Sequence, residues 1–279
     1  MKTSEELKAI VREKYSEIAL QSKEQNQSSC CGAGGCSTAD YTIFSDDYSN
    51  LKGYQPDADL GLGCGLPTEF ALIKKGDTVV DLGSGAGNDC FVARSLTGES
   101  GKVIGLDMTE AMVTKAWENA DKLGFTNVEF RKGDIEEMPI GGNRADVVIS
   151  NCVLNLVPDK QKAFSEIFRI LKPGGHFSIS DVVIEGSMPM ELQEAAEMYA
   201  GCVSGAIQKE VYLELIRQQG FSEIQVQKEK QVILPDDILQ AYLDENQRNL
   251  YRSSGFGIYS ITVFAKKPDE AACCGPGCC

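Results

Sequence analysis

Thr78-Val79-Val80-Asp81-Leu82-Gly83-Ser84-Gly85-Ala86-Gly87-Asn88-Asp89 is the stretch on which the fold turns. Thr78, Val79 and Val80 are β-branched and suit a buried parallel strand. The apolar run stops at Asp81, and Gly83, Gly85 and Gly87 follow at alternate positions, where backbone can turn tightly and pass close to a ligand. Asn88 or Asp89 is then placed to cap a helix. A strand, a glycine turn and a helix start together predict a cofactor pocket.

The order D-x-G-x-G-x-G differs from the dinucleotide fingerprint G-x-G-x-x-G, so no phosphate need sit on the helix N-terminus. Working outward, Lys102 to Asp107 reads as a second strand ending in a carboxylate, 20 positions after Gly87, where it can accept both hydroxyl protons of a ribose. Val128 to Lys132 leads into Gly133-Asp134-Ile135, and Ala145 to Asn151 is a fourth strand-like run. Four strand ends then converge on one crevice, as ligand sites in open α/β sheets do. This set resembles the motifs of class I S-adenosylmethionine (SAM) methyltransferases. The resemblance implies a Rossmann-like doubly wound α/β sheet with an α+β C-terminal subdomain. It places Asp81, Gly83, Ser84, Gly85 and Gly87 under the methionine and ribose of SAM. Asp107 with Met108 falls at the ribose, Asp134 and Ile135 at the adenine edge, and Asn151 where sulfonium and substrate meet.

Composition narrows the class. The chain has 279 residues, 42% of them hydrophobic and 24% charged, which suffices for one α/β core and an extra subdomain. No apolar run approaches the ~18 residues of a membrane helix. A formal charge of -14 and a pI near 4.6 disfavour nucleic acid and anionic membranes as partners. The first residues are polar and lack the apolar centre of a signal peptide, so a cytoplasmic location is expected. Eleven cysteines in such a chain point to reactive thiols or soft-metal ligands rather than structural disulfides. The one histidine, His176, opens a strand and reads as structural.

Four segments are expected: 1–59, an N-terminal helix and a flexible Cys/Tyr-rich loop; 60–186, the SAM-binding core; 187–267, a substrate-side subdomain; and 268–279, a Cys-rich tail. Thr3 to Lys23 has helical spacing with Ser4 as a candidate N-cap and reads as a docking helix. Gln25 to Asp40 is polar and Gly/Ser-rich and holds Cys30, Cys31 and Cys36. Tyr41 to Pro56 carries Tyr41, Tyr48 and Tyr54, as a lid or as surface packing. Asp59 to Pro67, D-L-G-L-G-C-G-L-P, places Cys64 in exposed, mobile backbone. Within the core, helices are expected over about 88–96, 109–123 and 158–171, the last stopped by Lys172-Pro173-Gly174-Gly175, with a strand over His176 to Val183. Beyond it come helices over 190–206 and 209–219, strand-like segments over 221–234, a helix over 235–251 and a strand over 257–266. The chain closes on A-A-C-C-G-P-G-C-C.

Cys152 follows the fourth strand directly, where a methyl acceptor must meet the sulfonium. It is either a buried core cysteine or a ligand for a substrate that binds sulfur. Cys202, in A-G-C-V-S-G-A, and Cys64, in G-C-G-L-P, have small neighbours that admit a bulky atom. With V-V-D-L-G-S-G-A-G-N-D-C, G-L-D-M-T and S-N-C-V-L-N-L-V-P-D-K, these motifs resemble the arsenite methyltransferase family. The resemblance implies that Cys152 and Cys202 hold trivalent arsenic, joined by Cys64 and one upstream cysteine, of which Cys36 fits best and Cys30 and Cys31 are rivals. It also implies repeated methylation of arsenite, its thiol conjugates or methylarsenite, with glutathione or a thioredoxin-type protein as reductant. Arsenic bound by thiolates keeps a lone pair that can attack the methyl carbon, so no general base is required, whereas an oxygen or nitrogen acceptor usually wants one. The competing readings are C-methylation of a small organic acceptor and a non-enzymatic thiol-rich soft-metal binder. Zinc fits poorly, since no C-x-x-C pair occurs in the body of the chain.

Overall fold

The structure is a computed structural model that describes residues 3–21, 46–187, 205–234, 236, 239–240, 243–253 and 255–269. Its centre is a seven-stranded sheet in the order β3-β2-β1-β4-β5-β7-β6. The strands are β1 (Thr78–Leu82), β2 (Lys102–Asp107), β3 (Val128–Lys132), β4 (Ala145–Asn151), β5 (Leu171–Glu185), β6 (Ser222–Val232) and β7 (Gly257–Lys266). Strands β1 to β5 pair in parallel, and β7 runs antiparallel between β5 and β6. The chain leaves β1 outward to β2 and β3, then returns to lay β4 on the other side of β1, so the crevice opens above β1 and β4. That is the switch point at which open sheets bind ligands.

Helices cover both faces. Those whose bounds fall among the described residues are, in chain order, α1 (Ser4–Ala19), α2 (Pro67–Phe70), α3 (Asn88–Thr97), α4 (Glu110–Leu123), α5 (Lys160–Ile170), α6 (Lys209–Gln218) and α7 (Glu245–Ser253). Val80, Leu82, Leu106 and Val148 face one core with Phe164 and Ile167 of α5, while Val79, Val103, Val147 and Ile149 face a second with Phe91, Met112 and Ala116. Both faces of β1 and β4 are therefore buried, which is why they read as continuous apolar runs rather than alternating ones.

Several boundaries depart from the sequence reading. The N-cap of α1 is Thr3, not Ser4, because Thr3 and Glu6 exchange side-chain and backbone bonds in a capping box. Gly87, in a left-handed conformation, caps α3; Asn88 and Asp89 lie inside its first turn. Asp159 caps α5 through Lys162 N–H at 2.9 Å and displaces the start from Pro158. Strand β5 begins at Leu171, five residues before His176, because Lys172 to Gly175 form a bulge: Leu171 pairs with Ala145 and His176 with Val147. The helix expected over 235–251 does not run through. Leu243 and Asp244 are non-helical, and α7 starts afresh where Asp244 Oδ1 accepts from Gln247 N–H and Gln247 Oε1 from Asp244 N–H, both at 2.8 Å. Most of the helix expected over 190–206 lies outside the described residues; Gly205 and Ala206 are not helical. No helix among the described residues is long and apolar enough to cross a membrane.

Candidate active site

The glycine turn is fixed by β2. Gly83 and Ser84 N–H groups both donate to Leu106 O, at 2.7 and 3.0 Å, and Gly83, Gly85 and Gly87 all have positive φ. Gly85 N–H donates to Asp107 Oδ2 at 3.0 Å, and Thr109 N–H to Oδ1 at 2.8 Å, so the Asp107 carboxylate is held at the mouth of the crevice. Burial raises its pKa, and those two donors work the other way. Gly87 does not line the cleft. A Cβ there would lie 2.9 Å from Phe91 Cζ and Phe130 Cζ, so the position needs glycine for packing as well as for φ.

The cleft is open to solvent on one side and takes in about 1090 Å³ of non-atom space, the open solvent at its mouth included. Asp81, Gly83, Ser84, Gly85, Asp107, Met108, Asp134, Ile135, Asn151 and Cys152 all border it. Its far wall is α1, whose Lys8, Val11 and Tyr15 the sequence reading left as part of a docking helix. Lys8 Nζ pairs with Asp134 Oδ2 at 2.7 Å and Glu136 Oε2 at 2.6 Å. Burial opposes the charge of Asp134, but the Lys8 ammonium and the Glu136 N–H outweigh it and hold its pKa below the usual carboxylate value. Lys115 Nζ donates to Ala19 O and Gln21 O at 2.9 and 3.3 Å and fastens the other end of the helix.

Under the turn lies an acidic floor. Asp81 is buried and accepts from Cys90 Sγ at 3.2 Å; burial, with the charge of Asp89 beside it, raises its pKa strongly. Asp89 is pushed up to about 6 by burial, against the bonds from Asn151 and Tyr48. The Tyr48 hydroxyl lies 2.9 Å from Asp89 Oδ2 and 3.1 Å from Gly65 O, so Tyr48 is part of the cleft wall rather than surface packing. Ser84 Oγ, Asn88 Oδ1 and Asp89 Oδ1 are buried on cleft residues with no hydrogen-bond partner among the described residues. Buried polar atoms are ordinarily satisfied, so these three fit a polar ligand such as the amino acid and ribose parts of SAM.

The thiols complete the picture in part. Cys152 has φ 60, donates its N–H to Ser180 O at 2.8 Å and is buried at the cleft wall. Cys64 is 1% exposed, contrary to the open loop expected from its glycines. The reason is remote: Asn151 Oδ1 accepts from Cys64 N–H at 2.9 Å and Gly65 N–H at 3.2 Å, and Ser260 Oγ donates to Cys64 O. Cys64 and Cys152 share one buried cluster with Val182, Ile184 and Ile258. Cys90 is buried against Asp81, and burial raises its thiol pKa far above the ordinary value, which makes it inert. Cys202, Cys36, Cys30, Cys31 and the tail cysteines lie outside the described residues. Among the described residues no group of three metal-ligating side chains occurs. His176 Nε2 lies 2.6 Å from Ala71 O, away from the cleft wall, in keeping with a structural role.

The sheet order, the glycine turn and the strand-end carboxylates define a class I SAM-dependent methyltransferase, and residues 73–220 match a family profile described as a methyltransferase domain. The chain is 39% identical to an arsenite methyltransferase of Halobacterium salinarum, over 95% of this chain and 67% of that one. It is 32% identical to an arsenite methyltransferase of Aquipseudomonas alcaligenes, over 84% of this chain and 68% of the relative. A solved arsenic(III) S-adenosylmethionine methyltransferase from Chlamydomonas reinhardtii superposes with a TM-score of 0.64 at 33% identity, covering 75% of this chain and 68% of that one. The chain belongs to the arsenite methyltransferase family.

Proposed function

We propose that this chain transfers the methyl group of SAM to trivalent arsenic held by Cys152, Cys64 and Cys202, with Cys36 as the upstream thiol. The observation that carries this reading is the placement of Cys152: it borders the same cleft as the glycine turn and shares a buried cluster with Cys64. SAM supplies an electrophilic methyl group on a sulfonium. The arsenic lone pair forms the As–C bond while the C–S electrons return to sulfur, so no proton has to move at the acceptor. The chain's contribution is alignment and a dry, acidic surround: Asp107 for the ribose, Asp134 and Ile135 for the adenine, and Asp81 and Asp89 near the cationic end. Arsenite, its thiol conjugates and methylarsenite are the substrates, and glutathione or a thioredoxin-type protein keeps the cysteines reduced. The test is transfer of labelled methyl from SAM to arsenite in the presence of a thiol reductant. Label on arsenic supports the reading; SAM binding with label only on an organic ring acceptor overturns it.

Two expectations follow from the charges around the cleft. A cationic ligand favours ionised Asp89, whose pKa in the ligand-free protein is about 6. SAM affinity therefore rises from pH 5 to 7 and levels off above, and Asp89→Asn flattens the profile in titration calorimetry. The same raised pKa destabilises the free protein as pH rises from the unfolded carboxyl value toward 6, because the unfolded chain releases that proton first. Lys8→Met leaves Asp134 and Glu136 without their cation and loosens α1. It should weaken SAM by about tenfold, the equivalent of one charge-assisted hydrogen bond near 1.4 kcal/mol. An unchanged dissociation constant would remove α1 from the binding surface.

A further inference from the structure

Behind the cleft wall two buried ionisable side chains, Asp181 and Lys160, hydrogen-bond to the turn that follows Cys152, and the chemistry above makes no use of them. Cys152 is succeeded by Val153, a 3-10 turn over Leu154–Leu156, then Val157 and Pro158. On one side Asp181 of β5, with 0% exposure, accepts from Asn155 N–H at 3.4 Å, from Val182 N–H at 2.9 Å and from the Tyr212 hydroxyl of α6 at 3.2 Å. On the other, the buried Lys160 ammonium at the start of α5 donates to Asn155 O at 3.2 Å and Val157 O at 3.1 Å. Asn155 is thus held by its N–H from β5 and by its carbonyl from α5.

The residue preceding Asp181 receives the Cys152 N–H, so the same strand fixes both ends of the segment. Cys152 itself stands in a left-handed conformation, which a non-glycine residue keeps only where its surroundings impose it. Burying two ionisable side chains costs stability unless they are hydrogen-bonded, and both direct bonds to this turn. What they provide is register. The Lys160 charge offsets part of the burial that pushes Asp181 up to about 7, so the two groups sense each other.

We propose that Asp181 and Lys160 are positioning residues for the acceptor thiol: by gripping the 154–157 turn from opposite sides they hold Cys152 in its left-handed conformation, facing the cleft. The proposal rests on the reading that Cys152 holds the arsenic.

A double-mutant cycle of Asp181→Asn, Lys160→Met and the double variant tests it, in the full chain. Three quantities are read: arsenite affinity by equilibrium dialysis, and the pulse-alkylation rates of Cys152 and of Cys90 by mass spectrometry. Cys90 reports general loosening, being buried on α3 away from the turn. Each single change removes one of the two holds on Asn155, so arsenite affinity should fall and Cys152 alkylation rise by about tenfold or more, with Cys90 unchanged. In the double variant the loss should be well below the product of the two single losses. Cys152 and Cys90 becoming reactive together, single variants indistinguishable from the parent, or losses that simply multiply would each overturn the proposal. If the parent itself holds no arsenite, the functional reading fails, and the contrast between Cys152 and Cys90 still decides the clamp.

Discussion

Cys152→Ser is expected to lower methyl transfer to arsenite by at least about a thousandfold, a barrier increase near 4 kcal/mol, while SAM binding stays within a factor of a few. Serine keeps the volume and tolerates the same backbone, so the Cys152 N–H bond to Ser180 O survives. What it removes is the sulfur that would bind arsenic as a thiolate. A serine hydroxyl is un-ionised at neutral pH and is a hard oxygen donor, so it can neither replace sulfur on a soft arsenic nor hold its lone pair toward the methyl carbon. The groups proposed for SAM stand on other elements: the turn after β1, Asp107 at the end of β2 and Asp134 beyond β3. Loss of transfer with retained SAM binding is therefore the signature of an acceptor ligand. Steady-state rates with labelled SAM, beside calorimetric SAM affinity for parent and variant, check it. A variant rate within tenfold of the parent would sink the thiolate-held acceptor.

The central sheet was legible because its information is local. Val79-Val80-Asp81-Leu82, the second run to Asp107 and Ala145 to Asn151 are short apolar stretches ended by polar residues, and a parallel strand buried on both faces needs no more. The strand-end carboxylates follow from the same pattern. Cys64 was misread because its environment is supplied from far away. G-L-G-C-G-L-P has the composition of an open loop, yet the donors of Cys64 and Gly65 are satisfied by an asparagine 87 positions later, and the carbonyl of Cys64 by Ser260. The cap of α3 differs for a related reason: Asp89, a good capping type, is drawn away by Tyr48 and Asn151. Lys8 sits on a segment that reads only as a docking helix, and the return of Asp134 and Glu136 to it is what gives the ammonium its partners. Asp181 had no signal at all, being an acidic residue between Ser180 and the apolar run Val182-Val183-Ile184 with nothing nearby in sequence to mark a partner. Its donors, Asn155 N–H and the Tyr212 hydroxyl, come together only once β5, α6 and the turn after β4 are in place.

Gly83→Ala should be the most damaging single change in the glycine turn, and its effect joins the cofactor side of the cleft to the acceptor side. Gly83 has φ 68, and an added Cβ would lie 2.7 Å from Val153 Cγ1 and closer still to Cγ2. The left-handed backbone costs an alanine about 1 kcal/mol, and forcing a methyl into a packed contact about 1–3 kcal/mol more, so stability should fall by about 2–4 kcal/mol. Val153 has little room to retreat, since the turn beyond it is bonded to both β5 and α5. The strain must therefore move the turn, and SAM affinity should fall by at least about a hundredfold, or 2.7 kcal/mol. Gly85→Ala is the contrast. It also stands at positive φ, but an added Cβ meets nothing within 4 Å, so only the backbone component of about 1 kcal/mol is expected. Val153→Ala in the Gly83→Ala background removes the two γ-carbons that clash and should return much of the steric loss while leaving the backbone loss in place. Thermal denaturation of the four proteins separates the components. Gly83→Ala as stable as the parent, or no recovery with Val153→Ala, would mean that the turn and the Cys152 segment are not packed as a unit.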